Sequence, residues 1–364
     1  MAATYRSTRD RGRGPAAVLA CVSLIVLATP VRAGVHAYRA SDGSEDASFV
    51  RLGGGTAPSA IVPDGARGVY LIGRIVVDGG ERQVVHVRAD GTIDPRFNVA
   101  IRGGRAIAGA VHGRMLALIG SFSSVGGEHR RGLAVVDTRS GTPLRWAPLA
   151  PAAAQALVSQ RSGAAVLHGV AFEGTTLAVS TRAGLLGWRI GAALPIWTHA
   201  LVEGGMLSPL VTWKGGFWTV GSITPRGRQG IYEIAAASGR IRSVSGQYDR
   251  VDSLQTVGGH LLTIVQGAVL VLFEPGLKRM GSCGRVPGSA AIVTAIAGSA
   301  RTLYAGASPI SLDAPGTVPG VFACPFSGGG SSFDPPTVAY GVHGPVVRKI
   351  ALVGSHVLVF TGPF

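Results

Sequence analysis

The sequence predicts an all-β protein: a seven-bladed β-propeller of four-stranded blades, with the last blade closed by the N-terminal strands. Short apolar runs alternate with glycine turns through residues 34–364, and one passage is written twice about 47 residues apart, the period of a propeller unit. Val69–Gly73, Gly79-Gly80-Glu81-Arg82 and Val84–Val87 are echoed by Met115–Gly120, Gly126-Gly127-Glu128-His129-Arg130 and Leu133–Asp137. The third observation is a split repeat. Val35–Arg39, Asp42-Gly43-Ser44 and Ser48-Phe49-Val50 match the close of the first full unit, where Val85–Arg88, Asp90-Gly91-Thr92 and Pro95-Arg96-Phe97 stand.

Each unit opens with a hairpin of two apolar strands around a small-residue turn. The pairs are 60–62 with 69–73, 108–111 with 115–120, 170–172 with 176–180 and 210–213 with 217–221. They continue as 254–257 with 261–265, 293–297 with 302–306 and 349–353 with 357–361, seven openings in all. The chain stops halfway through the seventh, and residues 34–55 supply the missing half, so that blade is shared between 34–55 and 346–364. A β-sandwich would show the same density of turns but has no reason for a repeat at this period or for split ends. Pro151–Ser162, rich in alanine, reads as an insertion between the second and third units, and Ser308–Gly320 as a Pro/Gly loop in the sixth. Phe49, Phe97, Trp146, Trp197 and Phe333 recur near the end of the outer strand. They suit packing between blades, the alternative being sugar stacking.

Residues 1–33 read as a signal peptide outside the domain, leaving 34–364 as a single propeller domain. Arg6, Arg9, Arg11 and Arg13 precede an apolar stretch from Ala16 to Ala28, and Pro30-Val31-Arg32-Ala33 offers a cleavage site before Gly34. The stretch is short for a membrane anchor, which needs about 20 apolar residues. A lipidated Cys21 would not be followed by the further apolar run Val22–Ala28. The expectation is a secreted or envelope-associated protein with no transmembrane anchor after cleavage. Loss of the leader removes five arginines and Asp10, lowering the net charge from +15 to +11. Arginine dominates, the only lysines being Lys214, Lys278 and Lys349. Such a balance fits either an arginine-biased surface or attraction to an anionic partner. Nucleic acid is disfavoured, because no basic run interleaves with aromatics. Cys283 and Cys324 remain after cleavage, an even pair that an oxidising compartment permits to bridge, two free thiols being the alternative.

The first two units resemble the bacterial delta-60 repeat, the DUF5122-type repeat of exported propeller proteins. The residues are Gly120-Ser121-Phe122, Gly126-Gly127-Glu128-His129-Arg130, Gly79-Gly80-Glu81-Arg82 and Asp90-Gly91-Thr92-Ile93-Asp94-Pro95-Arg96-Phe97. The resemblance covers 34–50 and 61–150 and fades through 165–347. It implies a propeller and no transferable catalytic set. Ala134–Trp146 is also similar to the tryptophan-docking repeat of quinoprotein dehydrogenases. It occurs once, its Gly-to-Trp spacing is one residue long, and Asn98 is the sole asparagine available for a calcium and quinone site.

No Gly-x-Ser-x-Gly elbow, His-Glu-x-x-His or phosphate loop is present. Asp42, Asp90 and Asp137 fall at turns, where Asp serves the backbone. The histidines are dispersed over the units and read as structural. No catalytic residue, metal ligand or cofactor is assigned. The patterned feature left is a set of arginines at the connection between second and third strands: Arg82, Arg130, Arg131, Arg226 and Arg228. Either they form a positive rim that grips carboxylate or phosphate, or each pins its own loop to nearby carbonyls. The functional expectation is an exported binding or interaction module for an extracellular protein or an anionic glycan or cell-wall polymer. The alternative is a propeller-type enzyme, a lyase, hydrolase or quinone-dependent dehydrogenase.

Overall fold

In a computed structural model, every described element is a strand, and the strands follow the hairpins read from sequence. The structure describes residues 34–148, 167–181, 184–200, 207–221, 230–244, 251–257, 259–265, 269–273, 279–285, 291–299, 302–309, 320–327, 332–333, 337–341 and 346–362. The leader, the Pro151–Ser162 insertion and most of the 308–320 loop lie outside them. Among the described residues no helix is long and apolar enough to cross a membrane.

Strand β1 (Val35–Arg39) is the first among the described residues. The first sheet is β2 (Ala57–Pro63), β3 (Val69–Val77) and β4 (Gly80–Val87). β5 (Ile101–Arg102) precedes the second sheet, which combines β6 (Ala106–His112) and β7 (Met115–Gly120) with a later strand. β8 (Ser124–Val125) and β9 (Glu128–His129) join β5 in a small side sheet, and β10 (Leu133–Asp137) completes the second. The third sheet is β11 (Leu167–Glu173), β12 (Thr176–Thr181), β13 (Gly184–Arg189) and β14 (Trp197–Ala200). The fourth is β15 (Leu207–Trp213), β16 (Gly216–Gly221), β17 (Gly230–Ala235) and β18 (Ile241–Val244). The fifth is β19 (Val251–Val257), β20 (His260–Val265), β21 (Val269–Phe273) and β22 (Arg279–Arg285). The sixth holds β23 (Ala291–Gly298), β24 (Thr302–Pro309), β25 (Gly320–Ser327), β26 (Ser332–Phe333) and β27 (Thr337–Gly341). The seventh is β28 (Val346–Val353) and β29 (His356–Gly362), with β1 paired antiparallel to β29, His36 opposite Val359 and Tyr38 opposite Val357.

Four-stranded units were expected throughout, and the third, fourth and fifth sheets have them. In the first, second and seventh the fourth segment is reduced to single bridges, Val87–Ile93, Val136–Pro143 and Tyr38–Glu45. Aspartate turns consume the backbone there: Asp90 Oδ1 accepts from the N–H of Thr92 at 2.9 Å, and Asp94 Oδ1 from that of Arg96 at 3.0 Å. A segment curled by such turns cannot also offer its N–H groups to a ladder.

Middle strands such as β7 and β12 are buried at almost every position, which explains continuous apolar runs where a one-sided sheet would alternate. Each face packs on the next sheet. Leu71, Val85 and Ile75 of the first sheet share a core with Ala351, Leu358 and Phe360 of the seventh. Tyr70 and Ile72 pack with Leu116 and Leu118 of the second, and Ile119 and Val135 with Leu177 and Trp188 of the third. Leu185 and Trp197 meet Phe217 and Ile234 of the fourth. The indole N–H of Trp213 donates to Gly259 O of the fifth at 2.9 Å. Leu262 joins Ile296 and Leu303 of the sixth, and Tyr304 and Val321 join Ile350 and Val357 of the seventh.

The recurring aromatics do pack between sheets. The indole N–H groups of Trp146 and Trp197 donate to Ala192 O and Ala236 O on the following sheet, at 2.8 and 3.0 Å. Glycine permits the same seat elsewhere. At Gly91, with φ +83°, a Cβ would lie 1.9 Å from Phe49 O, and at Gly141 2.5 Å from Asn98 O. The side chain of Phe333 lies outside the described residues. Cys324 is fully buried on β25 and disulfide-bonded. Cys283 is on β22, a strand that runs beside β26 of the next sheet.

Candidate anion-binding rim

The arginines read from sequence separate into different environments. Arg82 is exposed on β4 opposite Ile75, and Arg131 is exposed just before β10. Arg130 turns inward, its side chain only 12% exposed. Its Nη2 donates to Leu144 O at 3.1 Å and pairs with Glu128, while Nη1 donates to His129 O at 3.1 Å. Arg130 therefore pins its own loop. Arg226 and Arg228 lie outside the described residues.

Sequence reasoning passed over two arginines that the fold brings to the same place. Arg102 on β5 and Arg105 just before β6 flank Gly103-Gly104 in the connection from the first sheet to the second, and both are exposed. The Gln83 side chain ties this connection to β4, its Nε2 donating to Gly104 O at 3.0 Å and its Oε1 accepting from the N–H of Ala106 at 2.9 Å. The Ser121 N–H donates to Arg105 O at 2.8 Å, and the Ser123 N–H to Arg102 O at 3.0 Å. The Arg130 N–H donates to Ser123 O at 2.9 Å and the Gly132 N–H to Phe122 O at 2.9 Å, which locks the Arg131 segment to the same loop. Phe122 and Val125 are buried beneath it and anchor the whole.

Arg82, Arg102, Arg105 and Arg131 thus hang from backbone segments that are hydrogen-bonded to one another. None of the four guanidinium groups has a hydrogen bond or ion pair, whereas the nearby Arg74 is matched by Glu81 at 3.0 Å and Arg130 by Glu128. The available signal in the sequence was Arg102-Gly103-Gly104-Arg105 itself, an arginine pair around a glycine turn.

The polar clusters of the first and seventh sheets are internal clamps. His86 sits between Asp64 and Asp94, Nε2 to Asp64 Oδ2 at 3.0 Å and Nδ1 to Asp94 Oδ2 at 3.3 Å, stacked on Tyr70. Burial raises the Asp94 carboxyl, but the N–H of Arg96, the Arg88 guanidinium and His86 outweigh it and hold it below its ordinary value. Burial, then the charge of Asp64, pushes the Tyr70 hydroxyl up to about 12, and it donates to Thr138 O at 3.0 Å. His356 has a single aspartate, Asp46 at 3.4 Å, with Ser355 Oγ 3.3 Å from its Nδ1 and Phe49 stacked on the ring. His86, Asp94 and Tyr70 spend their polar atoms inside the protein, which suits architecture better than turnover, while the buried His356 Nε2 approaches Asp46 without a hydrogen bond. Among the described residues, no group of three His, Cys, Asp or Glu side chains converges as a metal site.

No family model and no curated protein matches the chain. Solved structures do. A chain of the mitotic checkpoint complex crystal structure aligns with 98% of this chain and 98% of its own length at TM-score 0.52 and 13% identity. The extracellular domain of a putative hybrid two-component system from B. thetaiotaomicron aligns with 91% of this chain and 39% of its own, at TM-score 0.50 and 10% identity. At such identities the likeness is one of fold: the chain is all-β and propeller-like.

Proposed function

We propose that the protein is an exported seven-bladed propeller that binds an anionic cell-surface polymer through the arginines between its first and second sheets. The observation that carries the reading is the set of four exposed, unpaired guanidinium groups on one hydrogen-bonded loop system. Guanidinium groups match carboxylate and phosphate by bidentate hydrogen bonds, and several weak exposed contacts on a rigid base sum to useful affinity. Ring closure is supported by the unbroken succession of packed neighbours and by the pairing of β1 with β29, which joins the two ends of the chain in one sheet. Export is supported by the leader-like composition of residues 1–33 and is compatible with the disulfide at Cys324.

The test is binding of polyglucuronate and polyphosphate to the mature protein and to the variant carrying R82S, R102S, R105S and R131S. At about 0.5 kcal/mol per exposed charge contact, four losses cost about 2 kcal/mol, or about 30-fold in Kd. The variant should also lose most of its salt dependence. Unchanged affinity, or polymer binding absent from both proteins, would refute the reading and leave a protein partner as the better account.

A further inference from the structure

All seven strands that open a sheet carry a register shift near their beginning. The shifts fall between Pro58 and Ala60, Ala106 and Ala108, Leu167 and Gly169, Leu207 and Leu210, Val251 and Ser253, Val293 and Ala295, and Val347 and Lys349. A bulge repeated at one step of every unit re-aims the side chains beside it, and bulges concentrate where strands border functional sites. In five sheets the residue that regains register is small: Ala60, Ala108, Gly169, Ser253 and Ala295. In the seventh sheet it is Lys349.

That exception costs stability. Lys349 shares its strand face with Ala351 and Val353, which pack against the first sheet, and its side chain is partly buried. Its ammonium has no hydrogen bond and no ion pair. Burial holds it below the ordinary lysine value. The bulged residue beside it, Arg348, is exposed, and so is Ser59, the bulged residue of β2, the strand next to β28. A desolvated cation without a counter-charge, in a position where the six sister units carry Ala, Gly, Ser or Leu and no charge, calls for a ligand of opposite charge.

We propose that the start of β28 is a binding site for a single oxyanionic group, carboxylate or phosphate, with Lys349 as its direct partner. This site is separate from the arginine rim and stands without it.

The three lysines make the test specific. The mature protein is treated with a limiting acylating reagent, with either inorganic phosphate or glucuronate present against chloride at matched ionic strength, and each lysine is quantified by mass spectrometry. At about ten times its Kd, the bound oxyanion should slow modification of Lys349 about tenfold and leave Lys214 unchanged. Protection by phosphate alone or glucuronate alone identifies which oxyanion the site takes. The same anion should raise the melting temperature of the wild type and not that of K349M. Equal effects on Lys349 and Lys214, or an equal thermal shift in K349M, would overturn the proposal. Should K349M fail to fold, the labelling contrast decides. The R82S/R102S/R105S/R131S variant should keep the Lys349 protection, so failure of one site is distinguishable from failure of the other.

Discussion

Replacing Gly91 by alanine should destabilise the protein through a contact made by a different part of the chain. Gly91 has φ +83°, and its missing Cβ would fall 1.9 Å from Phe49 O and 3.1 Å from Phe49 Cδ2. An L-residue in that region costs roughly 1–2 kcal/mol by itself. The clash adds to this, because Phe49 must retreat from its stacked position on His356, where the ring centroids are 3.6 Å apart. Losing an aromatic pair of this kind is worth roughly 0.5–1.5 kcal/mol. The expected total is roughly 1.5–3.5 kcal/mol. Gly79 supplies the control: its φ is +76° and nothing lies within 4 Å of its Cβ, so G79A incurs the backbone strain alone. Equilibrium urea unfolding of both variants isolates the difference, which should be about 0.5–1.5 kcal/mol with an unchanged m-value. Equal losses would refute the seating of the N-terminal segment on the first sheet.

The two adjacent rim arginines should separate stability from binding. R130A removes the bonds to Leu144 O and Glu128 and should cost roughly 1–3 kcal/mol of stability, while R131A should leave thermal stability within about 0.5 kcal/mol and weaken polyanion binding; equal melting curves would contradict the first half. Acid should destabilise the fold as pH falls below about 4, because carboxyls held below their ordinary value contribute stability above the unfolded value and lose it as they protonate. D94N should flatten part of that acid limb in pH-dependent unfolding, and an unchanged limb would remove Asp94 from the account. Non-reducing peptide mapping should find Cys324 joined to Cys283, and reduction should cost about 4 kcal/mol by loop entropy; a bridge to any other cysteine would break that expectation.

The hairpins were legible because a strand buried on both faces leaves an uninterrupted apolar run, as in Met115–Gly120, and Gly-rich turns delimit it. Where the pattern misled, the bulges were responsible. The reading began the opening strands at Ala60, Ala108 and Lys349, whereas they start at Ala57, Ala106 and Val346, because a one-residue slip breaks the side-chain period on which such reading depends. The reduced fourth strands escaped notice because Asp90 and Asp94 look the same in a hairpin turn as in a segment that curls without pairing. At the rim, charge alone could not separate Arg130 from Arg131. The difference lies in whether Glu128 and Leu144 O come within reach, which neighbouring loops decide. Arg102 and Arg105 needed the Gln83 tether before they could be placed beside Arg82. Lys349 needed the register of its sister strands.

Pairing of the chain's two ends is open to direct measurement. Ala37 and Leu358 are opposed and buried in the β1–β29 ladder. Cysteines placed at both positions in the mature protein should oxidise to an internal cross-link in the folded state, detected by mass spectrometry as one peptide pair. The control pairs A37C with L352C, a position that faces the sixth sheet, and should give none. Absence of the Ala37–Leu358 cross-link from a protein that is otherwise folded would contradict the β1–β29 pairing that supports the proposed ring closure.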